Sequence, residues 1–190
     1  MGAATSRDSR EKQLAKMFAI EASRPTDTEA LNKLKKLLPS PDPQVANAKQ
    51  PDDAGGRTVL MVVVSLRMGK AVGDYLIANG ADVTAADPSG YTVLHWAAMK
   101  DDEYFVTKAL DAGVGINQLT NGKQTALMFA CKYQSVKVFK LLMDRGADAS
   151  ISEPVGNMTA LAYAKEVLQE ADDDDERARA QEMISRLEAK

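Results

Sequence analysis

The stretch from Gly90 to Asp101 reads GYTVLHWAAMKD and holds the only histidine, His95, and the only tryptophan, Trp96, of a 190-residue chain. An imidazole can serve as a general base or a metal ligand, so a lone one beside an indole raises both readings. The other residues able to do chemistry are the single cysteine, Cys131, and the acidic run Asp172-Asp173-Asp174-Asp175-Glu176. A catalytic histidine works with a nucleophile or an orienting carboxylate, and no motif supplies either. One cysteine forms neither an internal disulfide nor a cysteine-based zinc cluster. The acidic run lacks the alternating ligands and the glycine of a calcium loop. It reads as a solvated insertion between the last two helices, with charges that suit the start of the final one. No glycine precedes a Lys-Ser or Lys-Thr pair, so no phosphate-binding loop is expected. An enzyme or metal protein using His95 and the acidic loop is therefore the weaker alternative, and no cofactor and no metal are expected.

The totals narrow the class further. With 45% hydrophobic and 27% charged residues the composition is that of a soluble globular protein, and the length allows one domain with a real core. A net charge of −3 offers no basic face for a nucleic acid. The longest apolar run, Val59 to Val64, is too short to span a bilayer. The lone cysteine and the lack of a signal-like amino terminus point to a cytoplasmic location.

The residues are positioned by a repeat. RTVLMVVV, YTVLHWAA, QTALMFAC and MTALAYAK align, placing Thr58, Thr92, Thr125 and Thr159 at steps of 34, 33 and 34. NGADVTAAD, AGVGINQ and RGADASIS place Gly80, Gly113 and Gly146 at two steps of 33. Each threonine can cap a first helix, and small residues such as Ala97, Ala98 and Ala130 let a neighbour come close. Counted back from the glycines, Val72, Phe105 and Val138 form one apolar column and Leu76, Ala109 and Leu142 another; Ile77, Leu110 and Met143 form a third. Such spacing puts them on one face of a second helix that the glycine ends in the left-handed conformation. A hairpin this small cannot bury its own apolar faces, so the units must stack.

GYTVLHWAA followed by a GADV or GADA ending resembles the ankyrin repeat, best over about residues 50 to 165. The resemblance implies an all-α solenoid of stacked helical hairpins, about five including caps. The expected layout is a flexible segment 1–9 and a single domain 10–190, divided as a cap hairpin 10–49, repeats 50–86, 87–117 and 118–150, and a terminal cap repeat 151–190. The chain departs from the pattern by lacking proline after each threonine, by GVGIN in repeat two, and by one extra residue between Thr58 and Gly80. Upstream, Leu34, Leu37 and Leu38 fit a second helix, an amphipathic segment runs from about Arg10 to Ala22, and Val45 to Lys49 resembles the family's post-helix strand. Downstream, helices are expected over Thr159 to Glu170 and Arg177 to Leu187. In this pattern the histidine is scaffolding that bonds backbone near the helix start and ties repeats together, and replacing His95 should cost about 1–3 kcal/mol of stability.

The resemblance further implies a non-catalytic interaction module, a monomer that binds another protein on its concave face. Positions counted from the threonines give the candidate contacts Arg57, Leu66, Tyr91, Met99, Lys100, Gln124, Lys132 and Tyr133. Hairpin tips add Pro88, Ser89, Thr120 and Asn121. Tyr91, Met99 and Tyr133 stand at the centre, and Tyr91 and Tyr133 are expected to be replaceable without loss of stability. A column of Val62, Trp96, Phe129 and Tyr163 either packs repeat on repeat or extends the contact as an aromatic ladder, with Trp96 as its exposed member. The opening MGAATS fits the N-myristoylation pattern at Gly2, with Ser6 four residues on. One acyl chain gives weak, reversible membrane contact, so an adaptor tethered through Gly2 is the finer form of this reading.

Overall fold

The computed structural model describes residues 26–37, 42–50 and 55–189. Gly2, the amphipathic segment from Arg10 to Ala22, and Leu38 lie outside the described residues. The described residues form two compact units, one ending at Pro88 and the other beginning at Ser89. Apart from isolated bridge residues, among them the pairs Lys49–Thr58 and Ser152–Thr159, the described residues in regular structure are helical.

Unit 1 contains α1 (Asp27–Leu37), α2 (Pro43–Ala46), α3 (Val59–Ser65) and α4 (Lys70–Ala78). Thr26 and Glu29 form a reciprocal cap at α1: the Thr26 amide donates to the Glu29 carboxylate at 3.0 Å and the Glu29 amide to the Thr26 hydroxyl at 3.4 Å. The bond from the Thr26 amide holds the Glu29 carboxyl below its usual range. Helices α1 and α4 pack together, as do α3 and α4, burying Ala30, Leu34, Val72 and Leu76. The expected strand at Val45 to Lys49 is instead the helical turn α2 followed by a single bridge at Lys49. Pro43 presets the first turn, and the Asn47 amide closes it by donating to the Pro43 carbonyl at 2.8 Å. The same amide group donates to Gly80 O at 2.7 Å.

Unit 2 contains three hairpins: α5 (Val93–Met99) with α6 (Glu103–Asp111), α7 (Ala126–Lys132) with α8 (Val136–Asp144), and α9 (Ala160–Glu170) with α10 (Asp174–Glu188). First helices α5, α7 and α9 pack in series, and the second helices α6, α8 and α10 pack behind them. Three of the four threonines cap through the hydroxyl as expected, while the Thr92 hydroxyl lies against His95 Nδ1. The Thr58, Thr125 and Thr159 hydroxyls accept from the amides of Met61, Met128 and Ala162 at 3.3, 3.2 and 3.2 Å.

Each of the first two second helices in this unit, and α4 in unit 1, ends as the glycines foretell. Gly80, Gly113 and Gly146 have φ of 91°, 94° and 83°. The next residue's amide returns to the carbonyl five back: Ala81 to Leu76, Val114 to Ala109, and Ala147 to Leu142. The first helices close with the same bonds, from Met68 to Val63, Asp102 to Ala97 and Ser135 to Ala130. Here the left-handed residue is not glycine but Arg67, Asp101 or Gln134, at φ of 56°, 52° and 54°. The strain is offset in unit 2 by what the side chains do. Asp101 accepts from the Val138 amide at 2.9 Å, capping α8 from the preceding hairpin, and Gln134 accepts from Arg179 Nε at 2.9 Å. The extra residue of the first repeat is Gly69, at φ 82°, in the turn before α4.

The acidic run is solvated and lies at the start of the final helix as expected, but most of it belongs to that helix rather than standing between the two. Asp173 caps α10 by accepting from the Glu176 amide at 2.7 Å, and Asp174, Asp175 and Glu176 form its first turn. The helix begins three residues before Arg177, capped by Asp173 and with an acidic first turn that suits its positive end.

Gly90 tests the loop geometry. Its φ is 81°, and a Cβ there would meet the Asn121 amide nitrogen at 2.8 Å, whereas Gly113 and Gly146 have nothing within 4 Å. Gly113→Ala should cost only the left-handed strain, about 1 kcal/mol. Gly90→Ala must in addition displace backbone, and its loss in chemical denaturation should exceed that of Gly113→Ala.

Candidate partner-binding surface

His95 is fully buried, at the third position of α5. Its Nδ1 lies 3.1 Å from the Thr92 amide and 3.0 Å from the Thr92 hydroxyl, and its Nε2 lies 3.0 Å from Gln118 O. A backbone N–H can only donate, so Nδ1 accepts and the ring proton sits on Nε2, donating to Gln118 O. Both nitrogens are thereby used in tying the start of α5 to the loop that opens the next repeat. The Tyr91 and Phe129 rings each stand 5.9 Å away, both edge-on, and 5.4 Å from one another, so they cluster on one side of the imidazole. His95 is scaffolding, as its place in the repeat implied.

Cys131 is buried in α7, and burial pushes its thiol up to about 12. A neutral, enclosed thiol is a poor nucleophile. Among the described residues no three His, Cys, Asp or Glu side chains come close enough to hold a metal ion. Ionisation of Cys131 is favoured only on unfolding, so its contribution is intact below pH 9.0, its ordinary value, and is lost as pH rises toward 12. Cys131 should react with Ellman's reagent near neutral pH only as fast as the chain unfolds.

The candidate contacts are dispersed in burial. In unit 1, Leu66 is 40% exposed, while Arg57 is half-buried, its Nε donating to Gln50 at 3.0 Å and its Nη1 to Ser65 at 3.3 Å. Pro88 is exposed at the end of that unit. In unit 2, Ser89, Asn121, Lys132 and Tyr133 are exposed, and Trp96, Met99, Lys100 and Gln124 are half-buried. Gln124 Nε2 donates to the Tyr163 hydroxyl at 2.8 Å. Thr120 is buried rather than at a tip, because its hydroxyl accepts from the Gln124 amide at 3.2 Å to close its turn. Of the aromatic column, Val62, Phe129 and Tyr163 are buried, so these three pack inward and only Trp96 is partly open.

Tyr91 differs from its expected role as a surface ring. It is half-buried, with ring centroids 5.5 Å from Trp96 and 5.4 Å from Phe129, besides His95. Tyr133 touches the end of this cluster through Phe129 at 6.4 Å and is 52% exposed. The aromatic cluster thus spans α5 and α7 with Tyr133 as its open end. Sequence spacing gave no warning of the packing, because the residue before each threonine lies in a loop whose orientation depends on the next hairpin. Another feature that spacing missed is Val155, 80% exposed at the tip between α8 and α9.

Tyr91→Ala should therefore lower stability by about 1–3 kcal/mol, from lost burial and ring contacts. Tyr133→Ala should cost about 0.5 kcal/mol or less, as for an open surface position. His95→Ala should cost about 2–4 kcal/mol, since two buried bonds and the ring volume go together. Thermal and urea unfolding of the three variants measures the order.

The sequence is similar to those of known proteins. Over 99 residues the chain is 34% identical to an ankyrin repeat domain-containing protein of Stachybotrys chartarum, a match covering 52% of this chain and 5% of that relative. It is 33% identical over 106 residues to the E3 ubiquitin-protein ligase KEG of Arabidopsis thaliana, covering 53% and 6%. An ankyrin repeat protein of fowlpox virus is 32% identical over 111 residues, covering 58% of this chain and 76% of that one. The first two of these curated relatives are much longer, and the chain spans only 5% and 6% of them. A model of ankyrin repeats in three copies matches residues 17–117 and 100–170, so with its hairpins, caps and structural histidine the chain belongs to the ankyrin repeat family, an all-α repeat solenoid.

Proposed function

We propose that this chain is a non-catalytic adaptor that binds a protein partner through the exposed ends of its first helices. Ankyrin repeats generally mediate protein–protein interaction, and the family is typically non-catalytic. The observation that supports a site in unit 2 is Tyr133, half open to solvent at the end of an otherwise packed aromatic cluster. A rigid ring held by its neighbours loses little freedom on contact, and aromatics and methionine are what interface cores favour. Met99, Lys100 and Lys132 surround this site in the repeat register, with Ser89 and Asn121 at the tips. Leu66 and Arg57 give unit 1 a candidate patch of its own.

Among the described residues no helix is long and apolar enough to cross a membrane. A cytoplasmic monomer remains part of the proposal, as does a membrane tether through Gly2, which requires Gly2 to be the free amino terminus of the mature chain. Intact mass of the protein from its native cells should then show one added myristoyl group, lost in Gly2→Ala. The binding reading is checked by a photo-crosslinking residue placed at position 133 or at Lys137, an exposed residue of α8. In cell extract the expected result is a discrete adduct from position 133 that a Met99→Ala change diminishes, with none from position 137. Equal labelling from both positions would count against the face.

A further inference from the structure

We propose that the first-helix face of unit 2 receives an acidic segment of its protein partner, with a large apolar side chain seated on Tyr133 and a neighbouring carboxylate at the Lys132 ammonium. This rests on the protein-binding reading above and adds the chemistry of the partner. Charge is the argument. The chain as a whole is net −3, yet at the exposed contact positions and tips of this unit Lys132 and Lys123 stand against one carboxylate, Glu166.

Lys132 is the cation beside the open ring. Several long cations of the unit are matched: Lys140 pairs with Glu182 at 2.5 Å, Lys165 with Glu188 at 2.8 Å, and Arg186 with Asp144. Among the described residues Lys132 forms no ion pair. Its ammonium lies 5.6 Å from the centre of the Tyr163 ring, whose hydroxyl already accepts from Gln124. A cation over a ring face keeps its charge and its outward side. The next residue is Tyr133, so an apolar anchor and an adjacent carboxylate would meet a ring and a cation one residue apart. A single-stranded nucleic acid fits less well, because backbone tracking asks for a longer basic groove than a few lysines on an acidic chain provide.

Trp96 is the only tryptophan and lies 5.5 Å from Tyr91 on this face, so its emission reports on occupancy. Random peptides of roughly 12 residues, displayed on phage and selected on the full chain, supply the probe; chance hits are removed on bare support. The expected winners combine acidic residues with a large apolar one, shift Trp96 emission on titration, and bind more weakly as salt rises. Lys132→Ala should weaken them about tenfold and Lys132→Arg should restore them, with unfolding temperatures unchanged. Neutral or basic winners, acidic winners indifferent to Lys132→Ala, or an oligothymidine that competes at equal salt would overturn the acidic preference. If such winners are still lost on Tyr133→Ala, the protein-binding face stands and only its charge preference falls. Winners indifferent to both changes, or no enrichment at all, would remove the parent reading as well.

Discussion

A seven-residue helix buries nearly all of itself and yet cannot satisfy its own backbone. In α7 every residue from Ala126 to Cys131 is buried, while a helix this short has free amides at one end and free carbonyls at the other along most of its length. Those groups need partners in the loops, and the loops must be held to supply them. The threonine hydroxyl at one end and the left-handed residue at the other are that supply, so their spacing governs the fold. With both ends fixed, small residues such as Ala97 and Ala98 can stay fully buried where the next helix approaches. Dispersion contacts among the packed helices then carry the stability that no single hairpin could reach.

The same constraint accounts for the chemistry this chain does not display. His95, the one residue that invites a catalytic reading, uses both ring nitrogens on backbone groups that a short helix and its loop would otherwise leave open. Asp148 is employed in a similar way: it accepts from the Ser150 hydroxyl at 2.6 Å and from its amide at 2.9 Å, which holds its carboxyl below the usual range. Gly115 occupies the corresponding place in the preceding repeat, where the Gln118 amide bonds the Gly115 carbonyl instead at 2.8 Å. These polar side chains are committed to closing turns. What is left for recognition are the side chains that no turn requires.

The sequence was legible where a residue type has one physical use. Threonine before an apolar run and glycine after one are such cases, and their steps located the helix starts and the second-helix ends. It was less legible where one conformation is open to several residue types. Arg67, Asp101 and Gln134 all adopt the left-handed turn that glycine would have announced, and in unit 2 what stabilises it is a bond to the next hairpin, invisible in one dimension. Tyr91 was read as surface for a related reason. Its burial is decided by Phe129, which lies a full repeat away, so the candidate site is narrower than spacing suggested, with Tyr133 rather than Tyr91 as its open ring.

The register also explains why the contact side chains are so unlike one another. Leu66, Lys100 and Tyr133 each directly precede the left-handed residue of a first helix, where the terminal bonds have already fixed the backbone. A side chain there leaves at the end of the helix, and its identity has little bearing on either cap. Leucine, lysine and tyrosine are then equally compatible with the fold, and selection for a partner can act without opposing selection for stability. The last hairpin loses this freedom. Helix α9 continues to Glu170, so Val167, eight after its threonine, lies inside a helix and is half-buried. In unit 2 these helix-end positions are thus confined to the first two hairpins, where the aromatic cluster and Lys132 meet.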